Sequence, residues 1–143
     1  MILTEQHIIS ENNKTYWKQL DNLCFLSKNL YNSALYKVKQ EKLKTGKFLR
    51  YNDLEKLFRE ENNTDYFNLP PASSQSILRL FDKNIKSYFA LLKKYKNDKK
   101  ALNGCPHFPK YKDKTKGRNV LIIRGDTLRM HEENIITLPK RFN

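Results

Sequence analysis

At 143 residues and 17.1 kDa, the chain has the length of a single domain. A hydrophobic fraction of 38%, with eight Phe and eight Tyr, excludes an intrinsically disordered composition. The 28 basic and 15 acidic residues give a formal charge of +13, which indicates a polyanionic partner.

The charge is unevenly distributed. Residues 93–118 carry ten Lys or Arg and only two Asp. A second explanation of the overall charge is AT-rich coding, because the chain also holds 21 Lys and 15 Asn. Such a bias explains the clustering less well than selection for binding does.

Motifs for catalysis and metal binding are not found in the sequence. Cys24 and Cys105 have no second Cys or His pair to complete a four-ligand zinc site. His7, His107 and His131 lie in separate segments. We therefore expect no catalytic residues, no metal and no cofactor. Because no signal peptide or long apolar run is seen, we also expect a soluble cytoplasmic protein that does not bind membranes.

The N-terminal third predicts a strand and then a helix. Residues 1–10 are rich in β-branched side chains, including Ile8 and Ile9, and predict an opening strand. From about Thr15, apolar residues recur at spacings of three and four. This pattern predicts an amphipathic helix of roughly 25 residues that ends before Gly46.

Two further helices follow. Tyr51 begins a shorter one, which Asn52 is placed to cap, with Glu55 three residues later. After the break at residues 70–71, Ser73 or Ser74 is a natural N-cap for a third helix. Its apolar positions again repeat at three and four: Ile77, Phe81, Ile85, Tyr88, Leu92 and Tyr95.

The C-terminal part predicts short strands at residues 120–123, 127–130 and 135–138, with turns at residues 125–126 and 133–134. The expected fold class is α+β: a three-helix lobe inserted into a small, incomplete antiparallel β-sheet or barrel. Residues 1–10 are its first strand, 11–103 the helical lobe, and 104–143 a basic connector and β meander. Uncovered sheet edges suggest self-association.

Residues 104–114 alternate aromatic rings with lysines and include two prolines. In an extended chain, basic side chains at alternate positions point to one side, where they can contact phosphates. The alternative is a solubilising loop. Tyr111 could stack on a base, whereas Phe108 is better explained as an anchor onto the core. The alternating basic residues are Lys110, Lys112, Lys114, Lys116 and Arg118.

Ser74 and Gln75 lie near the start of the third predicted helix. A helix N-terminus with short polar side chains suits a phosphate or a base edge. Helix capping is the alternative, and local chemistry favours it.

Three patches, in order, resemble the N-terminal part of the TnpB/OrfB family of transposon-encoded proteins, which are related to type V CRISPR nucleases. Residues 25–35, with the Tyr31-Asn32 pair, are similar to the family's first-helix motif. Residues 69–78, running into Tyr88-Phe89, are similar to its long helix. Residues 108–112, followed by residues 138–140, are similar to its Phe-Pro-basic-aromatic-basic signature and a later Leu-Pro strand end.

The resemblance implies a helical, helix-turn-helix-like recognition lobe inserted into a wedge-like β-barrel. It implies contacts with a structured guide RNA and with duplex DNA beside the target, and it places Tyr51 and Gln75 near that duplex. The family's nuclease domain and zinc ribbon lie downstream of the matching residues, so a binding module of a transposase without catalysis is expected. The alternatives are a self-associating remnant and a standalone DNA-binding regulator.

Overall fold

The computed structural model describes residues 2–132 and 135–138, and these are mostly helical. The α-helices are α1 (Lys14–Thr45), α2 (Tyr51–Glu60), α3 (Thr64–Phe67) and α4 (Pro71–Asn97). Two 3-10 turns (Lys99–Ala101 and Gly125–Thr127) and two strands, β1 (Arg129–Met130) and β2 (Ile136–Thr137), complete the described elements.

Helix α1 confirms the first predicted helix and is longer than expected, at 32 residues. Its buried positions follow the predicted spacing, from Leu23 through Leu30 to Val38. The helix ends where Gly46 adopts a left-handed φ of 76°, with its N–H bonded to the Lys42 carbonyl at 3.0 Å. Such a backbone conformation favours glycine, which explains the sharp end.

Helix α2 begins as predicted, but Asn52 does not cap it. Arg50 is the N-cap residue, and its N–H donates to the Asp53 carboxylate at 2.9 Å. The prediction of Asn52 as the cap is therefore wrong, because Asp53 supplies the acceptor that secures the first turn. The short helix α3 was not predicted, and it begins where the Asn63 side chain accepts the Tyr66 N–H.

Helix α4 is the third predicted helix, and it begins earlier than expected. Pro70 is its N-cap residue and Pro71 occupies the first helical position, where a missing N–H has no cost. The predicted caps Ser73 and Ser74 are thus inside the first turn and buried. The Ser74 hydroxyl donates to the Tyr66 carbonyl at 2.7 Å and ties α4 to α3.

The core lies where α1, α2 and α4 pack together. Tyr31 of α1 meets Phe81 of α4 edge-to-face, with ring centroids 5.5 Å apart. Leu54 and Phe58 bring the apolar face of α2 into the same cluster. The core members below 3% exposure are Leu30, Ala34, Leu35, Val38, Leu54, Phe58, Tyr66, Leu69, Ile77, Leu78, Phe81 and Ile85.

The expectation of an α+β fold with a wedge-like sheet or barrel is wrong. The described part of the chain holds one two-stranded antiparallel sheet, in which Arg129 pairs with Thr137 and Met130 with Ile136. Residues 2–10 and 120–123 form no strand. The predicted turn at residues 133–134, and residues 139–140 of the Leu-Pro strand end, lie outside the described residues. Residues 118–120 find their partners on α1 instead of a strand, as shown below.

Among the helices in the described ranges, none combines the length and the apolar character that crossing a membrane requires.

Candidate nucleic-acid interface

The basic segment of residues 104–120, here called the connector, is fixed at its start by aromatic packing. The Phe108 ring lies 5.2 Å from the Tyr88 ring of α4 and 5.9 Å from the Phe48 ring, centroid to centroid. Phe48 in turn contacts Phe89 at 4.8 Å. Phe108 is half-buried in this cluster, so it anchors the connector to the helical core.

Beyond Phe108, the connector runs along α1, and three α1 side chains donate to carbonyls at alternate positions. The Tyr31 hydroxyl bonds the Lys110 carbonyl at 3.4 Å. The Lys28 ammonium bonds the Lys114 carbonyl at 2.6 Å. Between them, the Asn32 amide bonds the Lys112 carbonyl at 3.0 Å. The backbone of the connector therefore faces the helix.

This arrangement leaves most of the lysine side chains in water. Lys110, Lys114 and Lys116 are exposed. Lys112 is half-buried, with its ammonium 5.2 Å from the centre of the Tyr31 ring. Lys110 and Lys114 thus project from positions whose carbonyls are already bonded, which leaves their ammonium groups to interact with an external anion.

A tight turn at residues 113–117 presents Lys114 and Lys116. The Asp113 carboxylate accepts the backbone N–H groups of Thr115 at 2.9 Å and Lys116 at 2.7 Å. These hydrogen bonds, led by the one from Lys116, lower the pKa of Asp113. A side chain at Gly117 would place its Cβ within 2.9 Å of the Asp113 nitrogen, so the turn requires glycine there.

Arg118 is engaged within the protein. Its guanidinium bonds both carboxylate oxygens of Asp21 on α1, at 2.7 and 2.8 Å, and lies 5.1 Å from the Phe25 ring centre. The hydrogen bond between Arg118 and Asp21 lowers the pKa of the Asp21 carboxyl and raises the pKa of the Arg118 guanidinium. Asp21 therefore compensates the charge of Arg118, which belongs to the alternating basic residues.

Tyr111 of the connector is 47% exposed. The Lys39 ammonium of α1 lies 4.3 Å from the centre of its ring. The ring therefore presents an aromatic surface beside a cation, which is a combination that suits an unpaired base and its phosphate.

The other predicted contacts lie apart from the connector, where α2 meets α4. Ser74 is fully buried, and its hydroxyl is used between α3 and α4. The Gln75 amide donates to the Glu55 carboxylate at 3.3 Å. The Tyr51 ring lies under the Arg79 guanidinium at 4.8 Å, and burial raises the pKa of its hydroxyl. Tyr51 and Gln75 are half-buried.

Sequence reasoning missed a basic cleft beside Tyr51. It has a volume of about 410 Å³. Asp82 compensates two of its cations, with Arg50 at 2.7 Å and Lys86 at 3.2 Å. Its lining residues are Arg50, Tyr51, Asn52, Arg79, Asp82, Lys83 and Lys86.

Two other cations of this cleft have a different environment. Within residues 2–132 and 135–138, neither Arg79 nor Lys83 lies within ion-pair distance of a carboxylate. The spacing of Arg79, Lys83 and Lys86 on α4, four and then three residues, was the signal in the sequence that could have revealed this shared face.

Fold and site together define a small, mainly helical protein with two basic surfaces: the connector and the α2–α4 cleft. In the part of the chain that is described, no group of three or more His, Cys, Asp or Glu could hold a metal ion. No protein family, curated protein or solved structure matches this chain.

Proposed function

We propose that this chain is a nucleic-acid-binding module that contacts the sugar–phosphate backbone of structured RNA or duplex DNA. One observation carries the proposal: α1 holds the connector by its backbone while Lys110, Lys114 and Lys116 project into water. Lysines presented in this way neutralise phosphates, release counterions and position a nucleic acid without reading its sequence.

The α2–α4 cleft supports the same proposal from a second surface. Arg79 and Lys83 lie there beside the Tyr51 ring. Cations next to a partly exposed ring can hold a phosphate and support an adjacent sugar or base. In the finer form of the proposal, the chain acts as the N-terminal module of a TnpB/OrfB-like transposase, with Tyr51 and Gln75 near target-adjacent duplex DNA and with guide RNA on the basic surface.

The test is the salt dependence of binding to a short DNA duplex and to a hairpin RNA. For B-DNA, each phosphate contact adds about 0.9 to the slope of log K against log salt. Neutralising the three exposed lysines of the connector should therefore reduce the slope by about 3. The variant combines Lys110→Gln, Lys114→Gln and Lys116→Gln, the three lysines that project into water.

A matched control removes the same charge at dispersed exposed positions. It combines Lys14→Gln, Lys44→Gln and Lys56→Gln. If the control and the connector variant lose the same slope, the charge acts as a diffuse field and the connector is not the site. Binding by the wild-type chain that does not depend on salt would contradict the proposal altogether.

A second candidate function, self-association, is favoured by an apolar cleft of about 340 Å³ beside the two-stranded sheet. Ile136 is 53% exposed there, Tyr16 is 61% exposed, and Ile9 is 47% exposed. Sedimentation without nucleic acid distinguishes the two functions. A tight dimer that shifts neither RNA nor DNA would favour self-association, whereas a monomer that binds both would favour the first proposal.

A further inference from the structure

The Asn32 side chain forms hydrogen bonds with the connector backbone in the pattern that a neighbouring β-strand would form. Its amide NH₂ donates to the Lys112 carbonyl at 3.0 Å, and its amide oxygen accepts the Lys112 N–H at 2.9 Å. Both backbone groups of one residue are thus satisfied by one side chain. Asparagine is a poor residue for the middle of a helix, so Asn32 contributes to the structure through this pair and not through helix formation.

A second attachment lies on the other side of the turn at residues 113–117. The Ser27 hydroxyl donates to the Val120 carbonyl at 2.6 Å and accepts from the Asn119 amide at 3.1 Å. The Cys24 carbonyl accepts the Asn119 N–H at 3.1 Å. Ser27 is fully buried beneath these contacts, so the two ends of the turn are fixed on one helix face.

Lys28 lies between the two attachments and is 1% exposed. Its ammonium bonds the Lys114 carbonyl and lies 3.8 Å from the Phe25 ring centre. Burial lowers the pKa of this ammonium group. Although Lys28 is basic, its charge faces the connector backbone and is therefore not available to a phosphate.

We infer that Asn32 is a positioning residue for phosphate binding, and that with Ser27 and Lys28 it orders the connector before any nucleic acid arrives. This inference rests on the proposed function. Ordering a flexible lysine segment at the moment of binding costs conformational entropy and so weakens binding. If the segment is already held in the free protein, that entropy is lost during folding instead. Asn32 itself contacts no nucleic acid in this role.

The test is Asn32→Ala, which leaves the net charge unchanged. We expect faster hydrogen exchange of the Lys112 N–H, with unchanged exchange in the core of α4. We also expect roughly tenfold weaker binding to the short DNA duplex and a salt slope lower by about 1 to 2, because a loose connector aligns fewer lysines with phosphates. The control is Asn22→Ala, an exposed position on the same helix, which should change neither measurement.

The salt slope distinguishes a positioning role of Asn32 from a simple loss of folded protein in the variant. A smaller folded fraction weakens binding equally at every salt concentration and leaves the slope unchanged. If the wild-type chain binds with a steep slope and Asn32→Ala keeps it, the inference is overturned and the proposed function stands. If the wild-type chain shows no salt-dependent binding, the proposed function fails and the inference fails with it. Fast exchange of Lys112 in the unbound wild-type protein would also overturn the inference, without any variant.

Discussion

The ion pair of Arg118 with Asp21 determines whether this arginine can bind a phosphate. The alternation of charges groups it with the connector lysines, yet its guanidinium forms a two-point pair with Asp21. A phosphate would have to compete with a carboxylate that is already aligned with both nitrogens. Arg118 therefore attaches the connector to α1, whereas Lys114 and Lys116 remain exposed.

Asp21→Asn should strengthen binding to duplex DNA, because it removes the competing carboxylate and releases the Arg118 charge. The salt slope should rise by about 1, the value for one added phosphate contact. Salt titration of both proteins checks the change. Glu60→Gln removes one negative charge on α2 and serves as the control; an equal rise there would mean that net charge, and not Arg118, is responsible.

The same variant has a defined pH dependence. Because the Arg118 hydrogen bond lowers the pKa of Asp21 in the folded state, the pair stabilises the fold above the unfolded pKa of about 3.9. That stabilisation is lost as the pH falls through the lower, folded pKa. Urea unfolding should thus show a stability difference between wild type and Asp21→Asn at neutral pH that shrinks below about pH 4. A stability difference that persists in strong acid would contradict a stabilising ion pair between Asp21 and Arg118.

At the scale of elements, the three longer helices followed from the sequence. Of the predicted strands, those at residues 127–130 and 135–138 are present as β1 and β2, each only two residues long, whereas the described residues of the segments 1–10 and 120–123 form no strand. Spacings of three and four report a helix with one buried face, and α1, α2 and α4 lie where these spacings predict them. Residues 120–123 show the limit of the period-two pattern. Leu121 and Ile123 pack against the core while Val120 is 60% exposed, as in a strand. The pattern reports an extended chain with one buried face, but it does not report whether the partner is a sheet or a helix.

The candidate site was predictable to a similar extent. Alternation along an extended chain placed the exposed lysines Lys110 and Lys114 on the surface, since it depends only on local geometry. The ion pair of Arg118 with Asp21 joins residues 97 positions apart, and local patterns carry no information about such contacts. The spacing of Arg79, Lys83 and Lys86 could have revealed their shared face on α4, but the cleft itself also needs α2 to pack on α4, which no local pattern reports.

Phe108 joins the connector to the helical core, which leads to a prediction about this element. Phe108→Ala removes a half-buried ring from the cluster with Tyr88 and Phe48. We expect a loss of about 2 kcal/mol in unfolding free energy, below the range for a fully buried phenylalanine. Chemical denaturation measures this loss. Tyr111→Ala, at the exposed ring three residues later, should cost far less; equal losses would mean that Phe108 does not anchor the connector.

At the scale of the whole molecule, the two basic surfaces belong to different elements that share one core. The connector lies on α1, and the cleft lies between α2 and α4. Tyr31 joins these parts, because its hydroxyl bonds the connector and its ring packs on Phe81 of α4. A rigid core of this kind would keep the two surfaces at a fixed separation, so that one nucleic acid could contact both.

The corresponding prediction compares charge removal at each surface and at both together. Arg79→Gln with Lys83→Gln should lower the salt slope by about 2, and the connector triple variant by about 3. If one duplex spans both surfaces, the combined variant should lose the sum of the two, and the wild-type protein should bind one duplex per chain. Isothermal titration gives the stoichiometry, and binding at several salt concentrations gives the slopes.

The opposite outcome is equally specific. If the surfaces act independently, the wild-type chain should bind two short duplexes, and each single-surface variant should retain one site with an unchanged slope. Longer duplexes sharpen the comparison, because a ligand able to reach both surfaces gains affinity from the second contact, whereas one too short to span them does not. An affinity that stays constant with duplex length would argue that the core does not hold the two surfaces in register for a single nucleic acid.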